Sequence, residues 1–383
     1  MRSRRPVSIF VLVDALGWDY IRNRPFLEDI AQYRGELKTI LGFSSGAIPA
    51  ILTGLSPTLN GHWNLFSYDP QNSPFRWTRP LSVLPSPLLN NRVSRRAINW
   101  LAHHVTRYEG YFYLYAVPVE LLQYFHYCER RDIFRPGGIN KGKSIFDSLE
   151  ERHIPFRSYS YHEHSDQQIV RHAIRDIAEK DCSFYFLYLS EMDTFLHRHC
   201  HEPAKVSEKV ALYDQWIRDL YQEARRVRSD VQLYVFSDHG MVPTSTSHDL
   251  WSEVEALGYR VPDDYLPFYD STMARFWFWN DRAKTALISH LQSLACGHIL
   301  TDSERQEFGV DFPDMRHGEI IFLMNPGCLI VPSYLGKGTL PGMHGFHPEA
   351  PYSSGALVAT TPLPMSVKII TDMHALMQLA AAR

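Results

Sequence analysis

The sequence predicts an α/β protein: a doubly wound, mostly parallel sheet flanked by helices, with inserted lid and cap segments. Three observations predict it. Residues 7–13, 184–189 and 233–236 are short apolar runs without alternation, as strands covered on both faces must be. Apolar positions at helical period fill the stretches between them, which implies strands alternating with helices. Each run ends in a polar cluster, and in such sheets sites gather at the carboxyl ends of the strands.

In chain order, VSIFVLV at 7–13 is β-branched and stops at Asp14. Residues 46–53 form a short helix closed by Gly54, with Pro49 placed in its first turn, where the amides lack intrahelical partners. Residues 144–153 and 167–178 read as helices around a strand at 156–161. FYFLYL at 184–189 runs into Ser190-Glu191-Met192-Asp193. Val206, Val210, Tyr213, Ile217, Leu220, Ala224 and Val227 then step by four and three along one helix face. LYVF at 233–236 runs into Ser237-Asp238-His239-Gly240.

Two regions break this rhythm. Residues 64–140 are rich in proline and aromatics and read as a lid-like insertion. Residues 245–335 read as a smaller cap, with a strand at 273–279 and a helix at 284–294. The expected division is a catalytic core at 1–244 and 336–383, with that cap inserted.

Composition sets the outer bounds. The 383 residues carry 39 Lys and Arg against 42 Asp and Glu, a net charge of −3. That balance excludes a general polyanion binder, so no nucleic-acid polymer is expected as a partner. Five scattered Cys without a CxxC exclude a disulfide framework and a thiolate zinc site. The basic start followed by 7–13 imitates a signal peptide, but the apolar run ends at Asp14 without a cleavage site. No run of about 18 apolar residues predicts a membrane span, and a cytoplasmic location is expected. The 19 His are an open question, because histidine is the commonest metal ligand.

Five segments carry chemistry. Asp14 follows a buried strand; alone, it reads as a helix N-cap. Ser44 and Ser45 stand at a helix N-terminus, where free amides favour a phosphate or an alkoxide, or they simply cap that helix. Asp193 and His197, four apart, meet on one helical turn; His199 and His201 lie nearby. A carboxylate and an imidazole suit zinc or a similar ion. Asp238 and His239 are adjacent at a strand end, with Gly240 permitting the turn. His344 lies between glycines in a loop. His162-Glu163-His164 matches none of these patterns and reads as an exposed loop cluster.

Together, in this order, the segments resemble the alkaline phosphatase superfamily, in its type I phosphodiesterase and nucleotide pyrophosphatase branch. The match runs from Asp14, through Ser44 with Thr53-Gly54-Leu55-Ser56-Pro57, to Asp193…His197, Asp238-His239 and His344-Gly345. The resemblance implies two divalent metal ions, Zn2+ or alternatively Mn2+. One would take Asp14, Ser44, Asp238 and His239, and the other Asp193, His197 and His344. It implies Ser44 as nucleophile, because the family's nucleophile lies ten residues before the Gly of the TG pair. It further implies a phosphoseryl intermediate and a small-molecule phosphoester substrate, with phosphoryl oxygens held by the amides of Ser45 to Ala47.

Where the branch usually carries Thr and, three residues on, Asn, this chain has Ser44 and Ala47; His62 and Asn64 are the candidates to hold phosphate instead. Gly46 and Ile48 break the sulfatase C/S-x-P-x-R frame. A phosphomonoesterase, phosphonate hydrolase or phosphotransferase shares the same site, and a silent metal- or phosphate-binding member is a further alternative. Asp270-Ser271-Thr272 precedes a cap strand without an assigned role, and oligomeric state is not legible.

Overall fold

The computed structural model describes residues 6–162 and 164–382. The basic start at residues 1–5 and Glu163 of the His162-Glu163-His164 cluster lie outside the described residues.

The strands that organise the molecule are β1 (Val7–Val13), β2 (Tyr33–Leu37), β3 (Phe156–Tyr159), β4 (Phe184–Leu189), β5 (Val231–Phe236), β6 (Tyr265–Tyr269), β7 (Met273–Phe278), β8 (Gly297–Ile299), β9 (Ile320–Met324) and β10 (Gly355–Ala359). The principal helices are α1 (Ser44–Thr53), α2 (Arg92–Thr106), α3 (Ile145–Glu151), α4 (Asp166–Glu179), α5 (Glu191–His199), α6 (Pro203–Val227), α7 (Asp281–Ser293) and α8 (Asp372–Ala381). The central sheet runs β2-β10-β5-β1-β4-β3. Its pairs β5-β1, β1-β4 and β4-β3 are parallel, and β10 alone runs against its neighbours. The sheet is therefore mostly parallel, as the unbroken apolar runs predict.

Each residue of β1, β4 and β5 is buried. Alternate side chains of β1 enter different cores, because successive Cβ atoms point to opposite faces. Ile9, Val11 and Val13 pack under α4 and α6, through Ile169, Ala173, Tyr213 and Ile217. Phe10 and Leu12 pack under α1, α3 and α8, through Ile51, Phe146 and Met373. Phe10 stacks on Tyr234 at 4.6 Å and on Phe184 at 5.1 Å.

The two regions that break the sequence rhythm share one apolar core. Phe66, Phe125 and Tyr127 from the first pack with Phe268, Trp277 and Tyr334 from the second. The second contains a four-stranded antiparallel sheet, β6-β7-β9-β8. Helix α7 begins at Asp281, ahead of the expected 284, because the Asn280 side chain accepts from the amides of Arg282 and Ala283.

Register places the polar clusters together. Val13 pairs with Leu189 and Leu12 with Phe236, so β1, β4 and β5 end flush. Their following residues, Asp14, Ser190 and Ser237, open onto one edge. Truncating Phe10→Ala removes the ring shared by three central strands. Urea unfolding should show a loss of about 3–5 kcal/mol, with little change in the slope of the transition.

Candidate active site

Every sequence-named ligand reaches this edge. Asp14, Asp238 and His239 form one group, and Asp193, His197 and His344 a second; within each, ligand atoms lie within 4.8 Å of one another. The groups adjoin, since the His239 and His344 rings stack at 3.8 Å. Asp193 Oδ2 lies 3.3 Å from His197 Nε2, so spacing by four on α5 does meet on one turn.

Helix α1 begins at Ser44 rather than Gly46. Pro49 therefore sits in the second turn, not the first, where its missing N–H leaves the Ser45 carbonyl without a helical donor. Gly54 closes the helix at φ +69°, as expected. The two serines point differently. The Ser45 hydroxyl donates to the Trp63 carbonyl at 2.8 Å, whereas Ser44 Oγ lies 2.9 Å from His239 Nε2. Gly46 and Ala47 spend their amides on the Phe43 carbonyl, leaving Ser45's amide at the helix mouth.

Backbone carbonyls fix two imidazoles. His239 Nδ1 donates to the Gly240 carbonyl and His197 Nδ1 to the Gly342 carbonyl, each at 2.8 Å. A carbonyl only accepts, so Nδ1 carries a proton in both rings and Nε2 is the atom turned toward the carboxylates. Gly240 is required for close approach rather than for a left-handed turn. A Cβ there would lie 2.2 Å from the Tyr352 carbonyl.

The electrostatics of the site suit a cation. Burial, then Asp238 and Asp193, push the Asp14 carboxyl well above the usual range. Burial also acts to raise Asp193, but His197, His344 and His239 hold it below that range. Burial and the neighbouring His239 push the His344 imidazole well below its usual range. Asp14 Oδ1, Asp193 Oδ1, Asp238 Oδ2 and His344 Nδ1 are buried without a hydrogen-bond partner. Such atoms in a native fold call for an ion or a water. Oxygen and imidazole donors at this spacing fit divalent ions.

Other expectations resolve differently. His199 pairs with Glu202 and His201 reaches the Thr244 carbonyl, so neither joins the ligands. His62 accepts from the Asn140 amide at 2.9 Å, a role within the fold. Asn64 donates to Asp270 at 3.5 Å, and its Oδ1 has no partner. Asp270 lines the site and is paired with buried Arg275 at 2.8 Å. The Thr272 hydroxyl donates to the Gly345 carbonyl at 3.0 Å and so holds the loop of His344.

Asp14, Ser44, Asp193, His197 and His344 line a cavity of about 650 Å³ with Phe43, Tyr111, Tyr115, Glu129 and Tyr161. Glu129 and Tyr188 were not read from the sequence. Tyr188 donates its hydroxyl to Asp14 Oδ2. Burial, followed by Asp132, pushes the Glu129 carboxyl up to about 8. Tyr188 sits two residues before Ser190, at the strand end where functional side chains collect, and that position is the signal a sequence offers.

The model of the type I phosphodiesterase / nucleotide pyrophosphatase family matches residues 8–347. The chain belongs to this family. It is accordingly a phosphoric ester hydrolase acting on phosphodiesters, from a family that uses divalent metal ions. No curated protein matches it in sequence. Among solved structures it is similar to human ectonucleotide pyrophosphatase / phosphodiesterase 5, with 14% identity, TM-score 0.70, and coverage of 99% of this chain and 95% of that one. The murine protein gives 16% identity, TM-score 0.68 and the same coverage. Its inactive variant in complex with AMP gives 16%, TM-score 0.67 and the same coverage. At these identities the likeness shows the shared fold. No helix among the described residues is long and apolar enough to cross a membrane.

Metal binding should relieve the carboxylate repulsion. Calorimetric melting with Zn2+ or Mn2+ at about a thousandfold excess over Kd should show about 4 kcal/mol of added stability relative to chelator-treated protein. Asp193→Asn should lose a large part of that gain. An unchanged melting temperature on metal addition would sink the two-ion reading.

Proposed function

We propose that this family member cleaves a phosphodiester or nucleotide pyrophosphate-type bond at Ser44, through a phosphoseryl intermediate. The observation that carries the reading is the position of the Ser44 hydroxyl, at a helix mouth and 2.9 Å from His239 Nε2, where the two ligand groups adjoin. Asp14, Ser44, Asp238 and His239 would hold one divalent ion and Asp193, His197 and His344 the other, with Zn2+ or Mn2+ suiting these donors. When bound, the pair supplies the charge that favours the Ser44 alkoxide and the departing oxygen.

Ser44 gives up its proton to solvent, and its oxygen attacks phosphorus in line with the oxygen that leaves. That oxygen departs as the alcohol, taking up a proton from solvent, or as a phosphate where the bond is of the pyrophosphate type. Water then splits the phosphoserine, which restores the hydroxyl and releases a phosphomonoester. Two displacements at one phosphorus retain its configuration. The Ser45 amide at the helix mouth is placed to hold a phosphoryl oxygen. Burial, followed by the Asp14 charge, raises the Tyr188 hydroxyl well above its usual range, so it remains a donor that orients Asp14.

The core at 1–244 and 336–383 supplies every ligand, while 245–335 and the 64–140 segment build the cavity wall. The murine neighbour in complex with AMP supports a nucleotide-sized substrate. Tyr111, Tyr115 and Tyr161 offer aromatic surface to its organic part.

Metal-loaded protein should turn over bis-p-nitrophenyl phosphate faster than the mono-ester. Ser44→Ala should lower kcat by at least about a thousandfold while metal stays on the Asp193 group. Ser45→Ala should keep activity within about tenfold, since one hydroxyl-to-carbonyl bond is lost. Full activity in Ser44→Ala, or loss only in Ser45→Ala, would overturn the nucleophile assignment. Faster mono-ester turnover would replace diester hydrolysis with phosphatase chemistry.

A further inference from the structure

Helix α2 carries apolar side chains on its outward as well as its inward face. Ile98 and Ala102 face inward and are buried, yet the outward face is also apolar. Val93 is 78% exposed and Trp100 62%, with Ala97, Leu101 and His104 on the same face, the His104 ring 4.1 Å from that of Trp100. In the segment before the helix, Val83 is 85% and Leu88 60% exposed. Scattered exposed apolar residues need no explanation, but a contiguous set marks an interaction surface.

Charge identifies the partner. Between Asp69 and Glu109 the chain has no acidic residue and six Arg, at 76, 79, 92, 95, 96 and 107. Arg92, Arg96 and His103 border the apolar face of α2 on one side and are exposed. The chain as a whole is net negative, so this is a local concentration of positive charge. Aliphatic side chains and Trp contribute little to binding nucleic-acid backbone, but they insert among lipid acyl chains while arginines meet anionic headgroups.

We propose that α2 and residues 83–91 form a peripheral docking surface for an anionic lipid bilayer. The apolar face enters the headgroup boundary, and the flanking Arg92 and Arg96 pair with lipid phosphates. The surface connects directly to the cavity. Arg95 donates to the Val117 carbonyl at 2.9 Å and also to the Tyr115 carbonyl, and the Asn99 side chain accepts from the Leu114 amide at 2.9 Å. Tyr111 and Tyr115, on the segment so anchored, line the cavity. Docking therefore sets the cavity wall near the bilayer, while remaining independent of the chemistry at Ser44.

Sedimentation of the full chain with phosphatidylcholine vesicles, with and without phosphatidylglycerol, tests this. Wild-type protein should partition to the anionic vesicles and be released by high salt. Leu88→Asp with Trp100→Asp, and separately Arg92→Glu with Arg96→Glu, should each weaken partitioning by roughly tenfold or more. Both variants should keep wild-type melting and turnover of bis-p-nitrophenyl phosphate, which separates failure of docking from failure of the hydrolytic reading. No partitioning by wild type, or equal partitioning by wild type and both variants, overturns the proposal. A concentration-dependent dimer that Trp100→Asp abolishes, without vesicle binding, overturns it in favour of a second copy of the chain.

Discussion

Three carboxylates, Asp14, Asp193 and Asp238, are gathered at the carboxyl edge of the central sheet with partnerless oxygens buried beside one another. Burial, then repulsion from Asp238 and Asp193, disfavours the charged form of Asp14. The sheet imposes this crowding, because parallel strands that end flush deliver their next residues to one place. Local structure around the edge serves to hold side chains that repel each other in a geometry a divalent ion would favour. The adjoining histidines do part of this already, since they draw Asp193 below the usual carboxylate range while Asp14 is driven above it.

Holding that geometry falls to groups outside the ligand set. Carbonyls of Gly240 and Gly342 fix the tautomers of His239 and His197, the backbone version of the partners that orient metal-bound imidazoles. Asp166 does the same for a whole helix. Its carboxylate accepts from the amides of Ser190 and Glu191 at 2.9 and 3.0 Å and from the Tyr213 hydroxyl, which pins the start of α5 and with it Asp193 and His197. The antiparallel strand β10 fastens the Asp238-His239 turn, as Ser237 donates to Ala356 and Gly240 to Ser353. A two-residue ladder, Gly342–Met343 against Val242–Pro243, places His344 over the same turn.

What the sequence made legible follows from these physics. Strands β1, β4 and β5 are buried on both faces, so their composition alone marks them. Asp14, Asp193 and Asp238 could be read because each follows such a strand within a few residues. Strand β2, with sequence YRGEL, is a partly exposed edge and lacks an apolar signature. The five residues of β10 are too short to separate from a loop by pattern. Asp166 was invisible for a different reason. Its role depends on contacts across 24 residues or more, as from Asp166 to Ser190, and no local spacing encodes such a contact.

The 21 Phe, 21 Tyr and 8 Trp divide by environment rather than by type. Phe66, Phe268, Trp277 and Tyr334 belong to the core that joins the 64–140 segment to the cap, and that core takes up most of the aromatics of those regions. Tyr111, Tyr115 and Tyr161 line the cavity, where steeply inclined rings such as Tyr111 and Tyr161, at 68°, bound a corner rather than a flat slot. Trp100 belongs to neither set, with its ring against His104 at 4.1 Å and its outer face open. Composition could not distinguish these three fates, just as a net charge of −3 conceals a stretch with six arginines and no acid. Local charge and local exposure, taken together, separate an aromatic that stabilises the fold from one that meets a partner.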